Sequence, residues 1–594
     1  MVIIMAIIGI DLGTTNTLAA VWRDGQSVLT PNASGKYLTP SVVSLDDDGN
    51  IITGEAAKLR LVSHPEKTAS LFKQFMGTEK KYKLGDKEFL PEDLSSFVLR
   101  SIKDDAEKFL GEEVTEAIIS VPAYFNDTQR SATKAAGKLA GLNVERILNE
   151  PSAAALAYRQ HDVHDGMNLV FDFGGGTLDI SILEAFNNIV DIIAVAGDNH
   201  LGGSDIDRAI VSEFFKKHPK LSGKLSASQM GVLLKNAEVC KISLSEKKQV
   251  FMVYRHEEQE YTLTLDNESL EQICAPLFAR FKSLLKQVLL GAECSMQHID
   301  NIILVGGSCR MPLVEEYLKH LTKKAVRTEI DPDYAFAMGV GVATGIKERN
   351  EDIKDMVLTD ICPFSLGIET VIDSSFRNFK TIFDVIIPRN AALPISRVQS
   401  YTPLHNLQSK LCISIFQGES LDVKNNLQIG ELYISVPRMS AGKATVDVRF
   451  TYDINGILEV EATCEQNNVS VAKLIVSNKH LTEDEITKRL TQLSKLKIKQ
   501  DNDENSLLIA QGRSLFEEFG GAIQSDIMLR LLTFEDAVER GANPARIAVL
   551  RDDLIKYFAR LEEYSESLLH GDQTDDFQLN EIDDFGEYLS DNQD

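Results

Sequence analysis

Two short segments of this chain carry the same combination of an aspartate, glycines and a threonine. They read IGIDLGTTN at residues 8–16 and VFDFGGGTLDI at residues 170–180. In each, an apolar run of strand length reaches an aspartate and passes into a glycine-containing turn. Glycine lets backbone N–H groups approach phosphate oxygens closely, and a threonine hydroxyl adds another donor. The repeat predicts two phosphate-binding turns on two facing lobes.

The aspartates of the two segments, Asp11 and Asp172, suit a magnesium ion held through its water shell. One glycine turn alone would more often be an ordinary loop. The repeat with matching aspartates favours a nucleotide clamp over that interpretation.

Composition excludes several function classes. With 594 residues the chain is too long for one hydrophobic core and predicts several domains. The formal net charge of -26 argues against a nucleic-acid partner, because phosphate backbones would be repelled. The seven cysteines show no metal-ligand spacing, which is typical of reduced cytoplasmic thiols.

No membrane span is expected. The N-terminal run MVIIMAIIGI lacks a basic segment and a small-residue cleavage site, and it leads directly into Asp11, so we interpret it as the first strand. No other stretch reaches the roughly 18 consecutive apolar residues of a spanning helix.

Residue patterning changes along the chain and indicates separate domains. Short apolar runs alternate with amphipathic helical stretches over residues 1–352, which predicts α/β sheets covered by helices. Over 361–480 apolar and polar residues alternate, and Asn455-Gly456 reads as a hairpin turn, so this part is predicted to be all β.

The C-terminal part is predicted to be helical. Thr482 and Glu485 form a capping box, and apolar residues at helical spacing continue over 481–570. Residues 571–594 are acidic without lysine or arginine, which is typical of a disordered tail.

Six motifs together resemble the seventy-kilodalton heat-shock chaperones, the DnaK family. TDICPFSLG, RVQSY and the short helical end are most similar to the bacterial HscC branch. The resemblance implies a multidomain fold: an actin-like α/β ATPase domain with duplicated lobes, a linker over 353–360, an all-β sandwich-like peptide-binding domain and a short α-helical lid. The six motifs are GIDLGTTN, VPAYFNDTQR, NEPSAAALAY, FDFGGGTLDI, LVGGSCRMP and LTDICPFSLGIET.

The resemblance also implies a site for ATP or ADP with Mg²⁺, and K⁺ as a further candidate ion. Hydrolysis needs a metal, donors around the γ-phosphate and groups that orient water. Lys73 matches a lysine that polarises the γ-phosphate, Glu150 and Asp179 match carboxylates that order water and ions, and Thr177 matches a loop donor. The implied nucleotide-binding residues are Gly13, Thr14, Thr15, Gly174, Gly175, Gly176, Gly202, Gly203, Glu238, Lys241, Ser245, Gly307, Ser308, Arg310 and Asp333.

Each catalytic residue has a plainer interpretation when taken alone. A lone lysine such as Lys73 is usually a surface charge, and Glu150 next to Pro151 could simply open a helix. Asp179 in an alternating strand could face solvent. The family match, rather than residue type, selects these positions.

The resemblance further places a relay between nucleotide and client. Pro122 and Arg130 match its proline and arginine, and Arg146 and Asp360 match positions that contact a J-domain cochaperone. The linker is apolar in most of the family, so Thr359 is a departure, and weaker docking is the expectation. The resemblance does not fix an exchange factor.

Unfolded or partly folded polypeptides are the implied clients. Ile368, Leu411 and Ile413 match the family's central pocket, with Val371 and Leu404 as an arch over the client. Such apolar strand residues are core residues by default. Leu411 and Leu404 are larger than is common in the family, which predicts a narrower cavity, and an extra stretch within 373–383 lengthens a nearby loop.

An ATP-dependent chaperone is therefore the leading hypothesis. A metabolic kinase or an actin-like filament protein would share the ATPase fold but would not need residues 361–570. A non-hydrolysing exchange factor of the same family could tolerate the loss of Lys73, Glu150 or Thr177, yet all three are present.

Overall fold

The computed structural model describes most of the chain. The described residues are 6–45, 50–160, 165–186, 189–256, 259–327, 330–350, 353, 357–374, 378–453, 458–475, 505, 508–509, 511–512, 515–516 and 521–570. The predicted Asn455-Gly456 turn, the Thr482/Glu485 capping box and the acidic tail at 571–594 lie outside them.

The first lobe is built on a sheet with the order β11-β10-β1-β2-β3, with β4 also pairing β2. β1 is parallel to β10 and antiparallel to β2, and its buried residues pack under the helices α2 and α3. The elements of this half are β1 (Ala6–Leu12), β2 (Asn16–Arg23), β3 (Gln26–Leu29), β4 (Thr39–Pro40), β5 (Val42–Leu45), β6 (Ile51–Thr53), α1 (Gly54–Ser63), β7 (Thr68–Ser70), β8 (Tyr82–Leu84), β9 (Lys87–Phe89), α2 (Pro91–Leu110), β10 (Val114–Val121), α3 (Asp127–Leu139), β11 (Ile147–Asn149) and α4 (Glu150–Gln160).

The second lobe repeats this arrangement with the order β18-β17-β12-β13-β14-β19. A core shared by both lobes lies between α4 and α9. The elements are β12 (Gly166–Phe173), β13 (Leu178–Phe186), β14 (Ile189–Asp198), α5 (Gly203–Lys217), α6 (Ala227–Ser243), β15 (Gln249–His256), β16 (Gln259–Asp266), α7 (Asn267–Gly291), β17 (Asn301–Val305), α8 (Pro312–Thr322), β18 (Val326–Arg327), α9 (Ala335–Lys347) and β19 (Val357–Thr359).

A β-sandwich follows, with the sheets β21-β20-β23-β24 and β22-β25-β26-β27. All strand pairs within it are antiparallel, and alternate apolar residues from both sheets fill one core. The strands are β20 (Leu366–Ser374), β21 (Asn378–Ile387), β22 (Ile395–Tyr401), β23 (Lys410–Gln417), β24 (Leu427–Ser435), β25 (Val446–Tyr452), β26 (Leu458–Cys464) and β27 (Val469–Ile475).

Two long C-terminal helices, α10 (Gly521–Glu539) and α11 (Pro544–His570), pack on each other. Their apolar cluster includes Ile382 and Leu421 of the sandwich, and α11 also packs against α7 of the second lobe. The buried Arg530 pairs with Asp526 at 2.9 Å and with Asp553 at 2.8 Å. The helices therefore contact both preceding parts of the chain.

Candidate active site

An open cleft of about 530 Å³ lies where β1 and β12 end. Each strand is largely buried and apolar and carries its aspartate near the C-terminal end, so each of the two sheets delivers one aspartate to the cleft. Its lining is Asp11, Gly13, Thr14, Thr15, Asn16, Leu18, Leu38, Lys73, Glu150, Asp172, Gly174, Gly175, Thr177, Gly306, Gly307, Pro332, Asp333 and Phe336. The structure thus brings seven of the fifteen predicted nucleotide-binding residues around one cavity, together with Asp11, Asp172, Lys73, Glu150 and Thr177.

The two glycine-rich turns touch each other across this cleft. A Cβ on Gly175 would lie 2.2 Å from the Thr15 Cγ2 atom, and one on Gly176 would lie 2.7 Å from the Thr14 Cγ2 atom. The Gln74 side-chain amide also donates to the Gly176 carbonyl at 2.9 Å. Glycine is required here because threonine side chains of one turn occupy the space beside the other.

The second turn is held by the start of α5 and by the Gly307 segment. Gly203 N donates to the Gly174 carbonyl at 3.0 Å, and the Ser308 hydroxyl donates to the same carbonyl at 2.9 Å. A Cβ on Gly202 would lie 2.3 Å from Gly176 N. Gly202, Gly203 and Ser308 therefore support the turn and do not line the cavity.

Lys73 and Glu150 form a buried ion pair. Lys73 Nζ lies 2.9 Å from Glu150 Oε1, and about 5% of each side chain is exposed. Lys73 comes from a 3-10 helix at Phe72–Phe75, and Glu150 opens α4 directly after β11. A buried, fully charged lysine is costly without such a partner, so the two positions depend on each other.

Three buried carboxylates stand close together beside this pair. Ligand oxygens of Glu150, Asp172 and Asp179 all lie within 4.8 Å of one another. Both carboxylate oxygens of Asp179 are buried without a hydrogen-bond partner. Oxygen ligands at this spacing fit a hard cation such as Mg²⁺.

Electrostatics in the cleft reflects this crowding of negative charge. Burial and the neighbouring Glu150 raise the pKa of Asp11 to about 7, although Ser120 donates to its carboxylate at 2.9 Å. Burial, followed by the charge of Glu150, also raises the pKa values of Asp172 and Asp179 well above the ordinary range. A bound cation would favour the charged forms of all three.

Four more of the predicted nucleotide-binding residues do not line the cavity: Glu238, Lys241, Ser245 and Arg310. Lys241 Nζ pairs with Asp207 at 2.8 Å and donates to the Gly203 carbonyl at 3.0 Å. Glu238 reaches Lys58 of the first lobe at 3.3 Å, so α6 contacts α1 across the cleft.

The loop that carries Asp333 lies at the cavity wall. Arg310 Nε pairs with the Asp333 carboxylate at 2.8 Å, and the same guanidinium also pairs with Asp331. These contacts fix the loop next to Gly307.

The predicted relay residues meet at the contact with the β-domain. Arg130 donates to the carbonyl oxygens of Ala123 at 3.1 Å and Phe125 at 2.9 Å, which belong to the loop directly after Pro122. It also donates to the Asn149 side chain at 2.6 Å. The guanidinium therefore holds the loop after β10 against the end of β11.

Asp360 makes a second set of contacts with Asn149 and its neighbours. Its carboxylate accepts from Asn149 Nδ2 at 2.7 Å and from Ser152 Oγ at 3.1 Å. Burial lowers the pKa of Arg146, an effect that nearby Asp360 opposes. Asn149 thus contacts both Arg130 and Asp360.

The linker strand β19 joins the second-lobe sheet. Val357, Leu358 and Thr359 pair in parallel with 189–191 of β14. Leu358 packs against the core shared by the lobes, whereas 51% of Val357 is exposed. Thr359 therefore occupies a strand position in this arrangement.

The five predicted client-binding residues divide into two groups. Ile368 and Ile413 are buried in the sandwich core, with the half-buried Leu411 packed against it. Val371 and Leu404 are exposed. The extra stretch extends the β20–β21 hairpin, in which Ser374 pairs with Asn378.

Sequence reasoning missed several residues of these sites. Leu38 and Phe336 line the cleft, and Tyr452 of the sandwich donates to Asp127 of α3 at 3.2 Å. No local pattern marks them. Gln74 and Asn149 lie next to predicted residues, which is the only signal that could have found them.

Within the described residues, no helix combines the length and apolarity that crossing a bilayer would require.

Comparison with known proteins identifies relatives along nearly the whole chain. The Hsp70 protein family model matches residues 7–84 and 79–524. The chaperone protein DnaK of Thermotoga petrophila is 35% identical over 96% of this chain and 98% of its own length. The DnaK protein of Thermotoga neapolitana is 35% identical over 94% of this chain and 97% of its own length. That of Thermosipho melanesiensis is 35% identical over 96% of this chain and 98% of its own length.

Proposed function

The chain belongs to the Hsp70 family, whose members are ATP-dependent chaperones and ATPases, and from this premise we propose how its residues divide the work. The two glycine-rich turns bind the phosphates of ATP through backbone N–H groups and the hydroxyls of Thr14, Thr15 and Thr177. Their contact across the cleft supports this assignment, because one nucleotide can then touch both lobes.

The acidic cluster is the proposed site for Mg²⁺, with K⁺ as a second candidate. Asp11 and Asp172 would hold the cation, and Asp179 and Glu150 would orient its ligands and the attacking water. A bound Mg²⁺ would neutralise charge that develops on the phosphates. Lys73, which lines the same cleft and is held by Glu150, stabilises the γ-phosphate.

The β-domain is the proposed client site. Ile368, Leu411 and Ile413 form an apolar pocket for one side chain of an extended segment, and Val371 and Leu404 cover it. The exposure of Val371 and Leu404, in contrast to the burial of Ile368 and Ile413, supports this proposal.

Nucleotide and client communicate through the contacts that Asn149 makes with Arg130 and Asp360. The helices α10 and α11 act as the lid. The arrangement in which β19 is docked corresponds to the state of low client affinity. A J-domain cochaperone acts on Arg146 and Asp360 and promotes hydrolysis. The TDICPFSLG and RVQSY segments favour the HscC branch within the family.

The observation that carries the client assignment is the position of Leu411, which is half-buried at the edge of the sandwich core. Single-turnover ATP hydrolysis is measured with and without an unfolded peptide and a J-domain protein. Leu411→Asp is expected to keep basal hydrolysis and to lose peptide stimulation, because a carboxylate cannot be desolvated in an apolar pocket. Leu411→Val is the matched control and should retain stimulation. Unchanged peptide affinity in Leu411→Asp would refute the groove assignment.

A further inference from the structure

A glutamine joins the segment that carries Lys73 to the second glycine-rich turn. Gln74 follows Lys73 on the 3-10 helix at Phe72–Phe75 of the first lobe. Its side-chain nitrogen Nε2 donates to the Gly176 carbonyl of the second lobe at 2.9 Å, across 102 positions of sequence. A Cβ on Gly176 would lie 2.6 Å from that nitrogen, so a larger residue there would displace the amide. One hydrogen bond thus crosses the cleft beside the lysine.

The carbonyl groups of the second turn take their donors from both lobes. Gly203 N donates to the Gly174 carbonyl at 3.0 Å. Ser204 N donates to the Gly175 carbonyl at 2.9 Å, and both donors belong to the start of α5 in the same lobe. The Gly176 carbonyl accepts from the first lobe instead. The last part of the turn is therefore oriented by the lobe on the opposite side of the cleft.

This hydrogen bond fixes a peptide group of the proposed phosphate site. The Gly176 carbonyl and the Thr177 N–H belong to one trans peptide, in which the two groups point in opposite directions. A donor that holds the carbonyl therefore also sets the direction of the Thr177 N–H. Thr177 lines the cleft, and its own carbonyl accepts from Gly174 N at 3.0 Å. Gln74 thus orients the end of the turn that carries a proposed phosphate donor.

The backbone that leads into the lysine segment has an unfavourable conformation. Leu71, directly before the 3-10 helix, has a φ of 56° and a ψ of 20°, in the left-handed region that leucine rarely adopts. Such a conformation persists only where surrounding contacts hold it. The side chains of Phe72, Lys73 and Met76 are buried, and Gln74 adds the bond to the other lobe. The position of the segment therefore depends on contacts at the cleft.

The bond of Gln74 forms only when the cleft is closed. Its two atoms belong to different lobes, so an opening of about 1 Å would break it. Phe75 of the same helix also approaches the second lobe, with its ring centroid 6.5 Å from that of His200. Lys73, in contrast, pairs with Glu150 of its own half of the domain. The ion pair alone does not depend on closure, whereas the neighbouring hydrogen bond does.

We propose that Gln74 is a positioning residue for ATP hydrolysis, which aligns the Lys73 ammonium group with the Thr177 end of the second turn when the cleft closes. Gln74 acts through these two groups, and it is not among the residues that line the cleft. The inference rests on the proposed role of Lys73 and adds the contact that makes this role depend on closure. Hydrolysis, rather than nucleotide affinity, is expected to depend on Gln74.

Gln74→Met tests this division on the full-length protein, because methionine has a similar length but cannot donate. The rate of single-turnover ATP hydrolysis, measured without peptide or cochaperone, should fall about tenfold, as the loss of one hydrogen bond predicts. ADP affinity, measured by calorimetry, should stay within about twofold of wild type. A wild-type rate would overturn the proposal, and so would an unchanged rate with weaker binding of both ATP and ADP.

Two further variants isolate the donor. Gln74→Glu keeps the shape of the side chain but presents only acceptors at neutral pH, so its hydrolysis should fall at least as far as that of Gln74→Met. The matched control is Gln26→Met, because Gln26 is exposed on β3 of the same lobe and should leave the rate unchanged. Hydrolysis at the wild-type rate in Gln74→Glu would show that the donated bond does not matter.

Lys73→Ala separates failure of this inference from failure of the proposed function. Adding Gln74→Met to Lys73→Ala should slow hydrolysis by less than a further twofold or so, because the group to be aligned is gone. A full tenfold further loss would overturn the inference. Impaired Lys73→Ala together with unimpaired Gln74→Met would refute the inference alone, whereas unimpaired hydrolysis in Lys73→Ala would refute the role of Lys73 and the inference together.

Discussion

The two sheets of the nucleotide-binding part have the same strand order but different edges. In each, a three-stranded antiparallel meander is extended by two parallel strands, as in β11-β10-β1-β2-β3 and β18-β17-β12-β13-β14. Among the described residues, the sixth strand differs: β4 pairs with β2 in the first sheet, whereas β19, from the linker, pairs with β14 at the outer edge of the second. The shared part builds the cleft, and β19 connects one lobe to the β-domain.

The two halves also differ in the charges they bring to the cleft. The first lobe supplies Lys73, the only lysine or arginine among the described residues that line the cleft, and the second lobe supplies both Asp172 and Asp179. Duplication therefore provides the geometry for gripping a nucleotide. We propose that catalysis depends on the residues in which the halves differ.

The largest effect is expected from removing the cation that only the first lobe supplies. Lys73→Ala should lower the rate of single-turnover ATP hydrolysis by about 100-fold or more, because a donor to the developing charge is lost. Nucleotide binding, measured by calorimetry, should persist through the two turns.

Lys81→Ala is the control for this change, because 66% of the Lys81 side chain is exposed. It should hydrolyse ATP at the wild-type rate. Hydrolysis that survives in a folded Lys73→Ala protein would contradict the role given to the ion pair.

A smaller effect is expected at the edge where the sheets differ. Leu358→Asp places a carboxylate against the core between the lobes and should detach β19, so that ATP no longer accelerates client release. We expect the acceleration to fall at least tenfold in stopped-flow measurements with a labelled peptide. Val357→Asp, on the same strand but largely exposed, should retain most of it. Equal effects of the two changes would show that packing of this strand is not the connection.

The smallest effect concerns the contact between α3 of the first lobe and the sandwich. Burial raises the pKa of Asp127 to about 6, opposed by Arg130 and by the Tyr452 hydrogen bond, with the Cys362 thiol also close. Separation of the domains would return the pKa of Asp127 towards its ordinary value of 3.8. The protonated form therefore favours contact, and its contribution is present at low pH and is lost as pH rises through about 6.

Contact between these domains should accordingly strengthen by up to about tenfold between pH 7 and pH 5. Cross-linking across the Asp127–Tyr452 contact measures this change. Asp127→Asn should remove most of the pH dependence. A dependence of the same size in that variant would assign the effect to other groups.

The sequence predicted the cleft better than it predicted the connections between domains. The two turns follow local rules, because a strand that ends at an aspartate before glycines can form few structures, and Asp11 and Asp172 stand together as predicted from the repeat. Asn149 and Asp360 are separated by 211 positions, and no periodicity relates them.

The interior polar contacts of the sandwich were equally out of reach. The Tyr401 hydroxyl of β22 donates to the Asp384 carboxylate of β21, in the other sheet, at 2.9 Å. Alternation places both residues on strands and indicates their faces, but it does not reveal which strands of the two sheets oppose each other. Register and sheet packing arise from the whole core. Partners across the sandwich therefore require the folded structure.

Amide hydrogen exchange at Val357, Leu358 and Thr359, compared in the presence of ATP and ADP with Mg²⁺, tests the central claim most directly. The claim is that a nucleotide held between the two lobes controls the pairing of β19 with the edge of the second-lobe sheet. Slower exchange of these amides with ATP than with ADP is the predicted result, because β19 pairs with β14 in the docked state. Identical exchange in both nucleotide states would contradict the account.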